Sequence, residues 1–357
     1  MKIFSSKLIL QFVAVLCFFG LIFGSASIKD LNTTSRSNKI LSRRKSLIAL
    51  LLTTNGSFFD PELESEKHLC RWLKGLKYQR NMCQRKKGLP ELLQQTRQLT
   101  LHSCQLQFKY EQWNCSSQHM RKIFKKFYRE TAFMYSLTTS AMVHVIAKAC
   151  MEGKLENCKC ASHKITDTSK NLGWGGCSVN MKFATRFVEK FLQLKVENES
   201  NDFTQHNSLV GLKTIKNKVE RYCKCHGLSG SCKHKICIKR IKSFSKITRN
   251  LKKLYHNAIK VEPNNNPHDI HRYHNDKQLL FLDSTPSFCD AHKGWSFSTV
   301  GRRCKDMDNC ATLCCGNSYK AVTRTVHEKC KCYWQNGTEL QLNCDTCPKE
   351  ELHYFCT

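Results

Sequence analysis

The stretch that decides the fold is Cys223-Lys224-Cys225-His226-Gly227-Leu228-Ser229-Gly230-Ser231-Cys232-Lys233-His234-Lys235-Ile236-Cys237. Its four cysteines stand too close together for separate bridges to distant parts of a fold. Nested pairing, Cys223 with Cys237 around Cys225 with Cys232, is the simplest closure, and it staples a hairpin. Gly227 and Gly230 can take the positive φ of a tight turn without Cβ strain, and the inner loop lifts Ser229 near the tip. A serine hydroxyl held out on a rigid, exposed loop can be modified or can attack.

Residue chemistry leaves several readings of this loop. Gly227-Leu228-Ser229-Gly230-Ser231 compares with the serine-hydrolase elbow G-x-S-x-G, but the second glycine is displaced by one, and an elbow needs a strand before it and a helix after it. A hydrolase would also need a histidine and a carboxylate aimed at the hydroxyl, and His226 is confined to the same small loop. A zinc knuckle would need thiolates in a reducing compartment, against the signs of export below. A structural hairpin with an incidental serine is the plain alternative.

Working outward, 357 residues suffice for two modest domains with real cores. Residues 1–26 place Lys2 and Lys7 ahead of an apolar run from Leu8 to Phe23, then Gly24-Ser25-Ala26, the pattern of a cleavable signal peptide. The run is short for a membrane anchor and carries Gln11, and nothing later is apolar enough to cross a membrane. Cys17 lies inside that signal, so its removal turns 23 cysteines into an even number, enough for up to eleven disulfides. The formal net charge of +30 falls only to +28 with the loss of the two lysines. A basic intracellular chain would suggest nucleic acid. An oxidised, exported one meets sulfated glycans and anionic cell surfaces instead, so no nucleic-acid partner is expected. Asn-x-Ser/Thr acceptors at Asn32, Asn55, Asn114, Asn198 and Asn336 fit secretion.

Residues 27–65 are polar and basic, with Ser42-Arg43-Arg44-Lys45-Ser46, and read as a flexible lead-in in which Leu47 to Leu52 can pack locally. Cys70 and Cys83 flank a short segment and are expected to pair with each other. From Pro90, a good first helical residue, Leu92, Leu93, Leu99 and Leu106 recur at helical spacing, predicting a buried leucine face. Phe124, Phe127, Tyr128, Phe133, Tyr135, Met142, Val145 and Ile146 mark a second long helix of core aromatics ending near Cys150. Further helical patterns follow at Phe183 to Leu192, at Leu209 to Val219 leading into the hairpin, and from Ile241 to Ala258. Residues 66–260 therefore read as a helical domain serving as base for hairpin 223–237. Residues 261–285 turn polar, with Asn264-Asn265-Asn266-Pro267 and histidines at 268, 271 and 274, and read as a solvated linker rather than a metal site. Residues 286–357 hold ten cysteines and few apolar residues, too little core to fold without bridges, whose connectivity the sequence alone leaves open.

The run Cys223 to Cys232 resembles the signature of the Wnt family of secreted signalling proteins. Glu130-Thr131-Ala132-Phe133, Trp113-Asn114-Cys115-Ser116, Trp174-Gly175-Gly176-Cys177-Ser178 and Cys314-Cys315-Gly316 resemble the family too, so the likeness covers roughly residues 70 to 357. Around Leu73 to Cys83 and at Gly88-Leu89-Pro90-Glu91 the pattern is similar to the ninth Wnt subgroup. The resemblance implies an α-helical N-terminal domain carrying a disulfide-stapled β-hairpin, the thumb, and a small cysteine-rich C-terminal domain with a long stapled β-hairpin, the index finger. It implies that Ser229 carries a monounsaturated fatty acyl ester, palmitoleate, with no other cofactor, no metal and no catalysis. It also implies that His226, Gly227, Leu228, Ser229 and Gly230 meet the cysteine-rich domain of Frizzled receptors, with Tyr333 and Trp334 as the finger's contact, and that Asn114 lies in a glycosylated motif.

The bridges it implies are Cys150 with Cys158, Cys160 with Cys177, Cys289 with Cys315, Cys304 with Cys310, Cys314 with Cys356, and, in finger hairpin 330–347, Cys330 with Cys347 and Cys332 with Cys344; Cys104 and Cys115 complete the bridged set. Three departures stand out. Ile236 and Ile238 sit where the family often has threonine and tryptophan, Asn317 stands where arginine is usual, and the vicinal Cys-Cys pair of the fingertip gives way to Tyr333-Trp334-Gln335-Asn336-Gly337-Thr338, a glycan acceptor. The partners implied are the Porcupine acyltransferase and Wntless carrier during export, then Frizzled, LDL-receptor-related co-receptors and heparan sulfate proteoglycans at cell surfaces and in the extracellular matrix. The rival functions are a secreted matrix protein that binds heparan sulfate through its charge, and a secreted serine hydrolase using Ser229.

Overall fold

The computed structural model describes residues 46–54, 70–161, 172–174, 176–194, 203–233, 235–261, 277–290, 295, 299–335 and 341–357. The expected signal peptide, most of the lead-in, histidines 268, 271 and 274, and Asn32, Asn55, Asn198 and Asn336 lie outside the described residues. The chain forms two units, one from residues up to His102 together with Met120–Thr285, the other from Ser103–His119 together with Pro286–Thr357.

The first unit is built around one helix. Helices α1 (Leu47–Thr53), α2 (Lys77–Arg85), α3 (Leu89–Gln107) and α4 (Ser117–Ile123) precede α5 (Arg129–Met151), and α6 (Met181–Leu192), α7 (Phe203–Lys216) and α8 (Phe244–His256) follow it. Most of α5 is buried around its whole circumference, as expected of a helix enclosed by others. Its inward hydroxyls are satisfied locally: Thr138 and Thr139 donate to the carbonyls of Met134 and Tyr135 at 2.7 and 2.9 Å. Against α7, the Ser140 hydroxyl donates to the Gly211 carbonyl at 2.7 Å. A Cβ at Gly211 would land on the Ser136 carbonyl, so only glycine lets the helices approach this closely. All eight aromatic and aliphatic positions from Phe124 to Ile146 named above are buried, but Phe124, Phe127 and Tyr128, expected on the same long helix, lie in the turn that precedes α5; complete burial contributes about 1.5–3 kcal/mol each.

One sequence expectation is met and two are corrected here. The run Leu47 to Leu52 does pack locally: α1 buries Leu47, Ile48, Leu51 and Leu52, Ser46 caps its start, and the Arg97 guanidinium donates to the carbonyls of Leu51 and Thr54 at its end, at 3.0 Å each. On α3, Leu106 is 53% exposed rather than buried; Leu92 and Leu93 continue inward through Thr96, Thr100 and Cys104, a row that Leu106 leaves. The end of the expected linker is structured, because β4 (Ile259–Lys260) pairs in parallel with β5 (Leu280–Phe281), and Leu279 and Leu280 are buried. Asn207 clamps that return, donating to and accepting from Leu280 at 2.9 and 3.0 Å. Asp283 accepts from the Phe127 amide, and Thr285 and Tyr255 donate to the buried Glu130 carboxylate. Burial raises the Glu130 pKa while those two hydroxyls oppose the rise.

The second unit has a small core in which cystines are accompanied by a buried aromatic cluster of Phe108, Trp113, Phe288 and Trp295. Cys304, Cys310, Leu313, Cys314 and Cys356 form its buried cluster, with Tyr354 packed on it. Residues 103–119, expected to belong with the helical domain, group here because their carbonyls are held here. Arg302 donates to Lys109, Glu111 and Gln112 carbonyls at 3.2, 2.6 and 3.0 Å, and Asn309 to that of Tyr110 at 2.9 Å. Trp113 packs edge-on to Phe108 and stacks with Phe288. Helix α9 (Met307–Leu313) is capped by Asp306, and strands β6 (Tyr319–Gln335) and β7 (Gln341–Cys356) close the chain as one long antiparallel ribbon.

Candidate functional site

Strands β2 (Val219–Cys225) and β3 (Lys235–Ile241) form the first hairpin, antiparallel, with Cys223 directly opposite Cys237. Cys223–Cys237 and Cys225–Cys232 are both formed. A third strand, β1 (Leu172–Trp174), pairs in parallel with β3, so β3 is central in its sheet. The base is sewn further: the Lys239 amide donates to the Ser178 hydroxyl at 3.0 Å, and its carbonyl accepts from Val179 at 2.9 Å. Arg240 lies over the Tyr222 ring at 4.1 Å and pairs with Glu220 at 2.8 Å. Ile238 stands opposite Tyr222, half-buried, while Ile236 is 39% exposed.

At the tip the chain turns through Leu228–Gly230. The Gly230 amide donates to the Gly227 carbonyl at 3.0 Å, and a Cβ on Gly227 would collide with Ser231. Ser229 itself takes φ 56° and ψ 30°, the left-handed region that costs a non-glycine residue about 1 kcal/mol or more. Its side chain is exposed, and His226 beside it is exposed as well. Among the described residues the Ser229 hydroxyl has no hydrogen-bond partner. The loop therefore presents this hydroxyl outward, on a backbone that two disulfides prevent from relaxing.

The second hairpin is the β6–β7 ribbon, bridged by Cys330–Cys347 and Cys332–Cys344. Its register shifts between Cys330 and Tyr333, where Lys331 has φ 46°, a bulge that re-aims the residues beyond it. Tyr333 and Trp334 are 57% and 63% exposed. Trp334 faces Leu342 across the ribbon, itself 49% exposed. Leu342 escaped the sequence reading, because a two-residue Asn336-Gly337 turn would have set Glu339 opposite Trp334, whereas the observed register sets Leu342 there. At the foot, Cys304 and Cys356 amides donate to Tyr354 and Arg302 carbonyls at 2.9 and 3.0 Å. Sulfurs of Cys304, Cys314 and Cys356 converge, but Cys304–Cys310 and Cys314–Cys356 bridges take up these thiols. The other bridges are Cys70–Cys83, Cys104–Cys115, Cys150–Cys158, Cys160–Cys177 and Cys289–Cys315. Asn114 is half-buried, its side-chain oxygen accepting from the Ser116 amide at 3.1 Å.

A helical unit bearing a doubly stapled, three-stranded thumb, and a cystine unit bearing a long stapled ribbon, define a class of cysteine-rich protein. The Wnt family model matches residues 72–357, and the chain belongs to the Wnt family. It is 36% identical to Protein Wnt-4 of Drosophila melanogaster over 80% of this chain and 56% of that protein. To Protein Wnt-9a of Gallus gallus it is 33% identical over 86% and 91%, and to Protein Wnt-9b of Homo sapiens 34% over 80% and 84%. Among solved structures it is similar to human WLS in complex with WNT8A, with a TM-score of 0.52 and 26% identity over 75% of this chain and 94% of that one.

Proposed function

We propose that this chain is a secreted, lipid-modified Wnt ligand, whose acylated Ser229 and exposed fingertip residues engage the cysteine-rich domain of a Frizzled receptor to trigger signalling in development. The observation that carries the reading is Ser229, exposed and in the left-handed conformation at the tip of a twice-stapled hairpin whose sequence is the family signature. A hydroxyl fixed outward is accessible to an acyl donor during export. At about 0.8 kcal/mol per buried CH₂, a sixteen-carbon chain supplies on the order of 10 kcal/mol before entropy costs. His226, Gly227 and Gly230 line the approach to that ester, and Tyr333 and Trp334 form the second contact. Porcupine is then the acyltransferase and Wntless the carrier, the latter supported by the likeness to WNT8A bound to WLS. LDL-receptor-related proteins act as co-receptors. The net charge favours retention by heparan sulfate at cell surfaces and in the matrix.

Ser229→Ala is expected to abolish acylation, export and reporter signalling, with Ser231→Ala doing less. The intact mass of the reduced secreted protein reads the acyl group directly. A Ser229→Ala protein secreted and signalling normally would overturn the reading.

A further inference from the structure

Helices α2 and α6 pack together in the first unit, away from any role assigned above. Between Cys70 and Leu89 the chain has seven Lys or Arg residues and no Asp or Glu. On α2, Gln79 and Cys83 point inward, while Lys77 and Arg80 are exposed. On α6, Lys182, Arg186 and Lys190 are all exposed at a spacing of four residues, a cationic row about 12 Å long. Glu189 is the one carboxylate on that helix. Lys86 joins the two helices, its ammonium 6.0 Å from the centre of the Phe187 ring.

The neighbouring row on α6 says what this surface is not built for. Phe183, Phe187 and Phe191 stack along the helix at 6.0 Å, but Phe187 and Phe191 are buried. A membrane-binding face needs apolar side chains free to enter lipid, and these two are already committed to packing. Among the described residues, no exposed large aromatic side chain lies on α2 or α6 to stack nucleic-acid bases. What remains is exposed cationic charge in a line, complementary to a linear polyanion.

We propose that the α2–α6 surface, centred on Lys77, Arg80, Lys86, Lys182, Arg186 and Lys190, is the binding site for a sulfated polysaccharide. The inference rests on the glycan-retention reading above and gives it a location.

The test uses the full secreted chain in detergent over immobilised heparin, across a series of salt concentrations. Lys77→Gln, Arg80→Gln, Arg186→Gln and Lys190→Gln are combined in one variant. A control removes the same charge elsewhere, combining Lys305→Gln, Lys320→Gln, Arg324→Gln and Lys329→Gln, also exposed positions. The helix variant is expected to bind on the order of 100-fold more weakly at physiological salt. Its log-affinity against log-salt slope should be shallower by roughly three to four, since each cationic side chain removed means about one fewer counterion released on binding. The control should change only a few-fold. Equal weakening in both variants would refute the site while keeping net-charge retention. Wild-type protein that fails to bind heparin would overturn both. Loss of binding to phosphatidylserine vesicles with heparin binding intact would assign the surface to lipid and refute the proposal. Should the fourfold variant melt below wild type, Arg186→Gln with Lys190→Gln serves alone, with a loss near tenfold expected.

Discussion

The two hairpins are stapled alike and supported differently. The thumb is short: its central strand has a partner on each side, and its base is bonded to Ser178 and Val179. The finger is a ribbon of two strands, with most of its described positions exposed on both faces. An isolated two-stranded hairpin is marginal in water, so the finger depends on its cross-links and its foot, whereas the thumb also draws on a helical core. The contrast suits the two tasks proposed above for the hairpins. Holding one strained serine in a single orientation needs a rigid platform, while offering a few apolar side chains needs only reach. A related difference divides the two units as a whole, one held by an extensive side-chain core and the other by a small aromatic cluster together with cystines.

The sharpest way to break that comparison is to cut one bridge in each unit. Cys314–Cys356 closes 42 residues and lies at the centre of the cystine cluster, so the chain-entropy view assigns it about 4 kcal/mol. Cys225–Cys232 closes only 7 residues at the thumb tip, worth about 2.4 kcal/mol by the same relation. The paired Cys314→Ser, Cys356→Ser variant is expected to lose protection throughout residues 299–357 in hydrogen exchange. Cys225→Ser with Cys232→Ser should leave the helical unit protected and loosen only the tip. If the first variant kept native protection in β6 and β7, the ribbon would not depend on the cystine cluster at its foot, and the contrast would fail.

The helical unit was largely legible. The apolar pattern of α5 from Phe133 to Ile146 is a direct print of its burial, although the pattern ran on through Phe124, Phe127 and Tyr128, which are buried in the turn before the helix, and nested cysteines in so short a span leave little choice of hairpin. What the sequence hid was recognition of backbone by distant side chains. Residues 103–119 read as more helical domain because nothing local reveals that Arg302 and Asn309, nearly two hundred positions on, satisfy their carbonyls. The return through Leu279 and Leu280 looked like the end of a linker, since two leucines carry no period and Asn207 does the clamping. Of helix α1, the apolar run Leu47 to Leu52 was legible as a segment able to pack, but it is too short to show a helical period. At the candidate sites, cysteine spacing placed Ser229 near the tip of its hairpin, and the resemblance to the family singled out Ser229 and Trp334. It could not supply the left-handed backbone of the first, nor the bulge at Lys331 just ahead of Tyr333 and Trp334.

A second test separates the units by pH. Burial, and then the nearby Lys148 charge, push the pKa of His144 on α5 down to about 4. The unfolded imidazole takes its proton near 6.5 and the folded one waits until about 4. The native state therefore loses stability as pH falls through that window, on the order of 3 kcal/mol in all. Glu130 acts in the opposite sense: its carboxyl, raised by burial, favours the native state as it protonates. Chemical denaturation of the helical unit at pH 7 and pH 4.5 should show a smaller loss for His144→Gln than for wild type. Identical losses would place the acid sensitivity elsewhere.

The smallest effect expected is at the fingertip, and it bears on how much of the proposed receptor contact the finger supplies. Trp334 and its partner Leu342 are the apolar pair on one face of the ribbon end, and the vicinal bridge usual in the family is absent. Aromatic anchors tend to dominate small interfaces, yet a residue already 63% exposed has a mobile, hydrated starting state to give up on binding. Trp334→Ala is therefore expected to weaken binding to an isolated Frizzled cysteine-rich domain by about 10-fold, near 1.4 kcal/mol, and Leu342→Ala by only a few-fold. Asn336→Gln should leave affinity unchanged or raise it, because a glycan there would add a bulky polar chain beside the anchor. Surface resonance with the acylated protein measures all three. A Trp334→Ala protein that binds like wild type would mean the ribbon is a structural arm, and that recognition rests on the thumb alone.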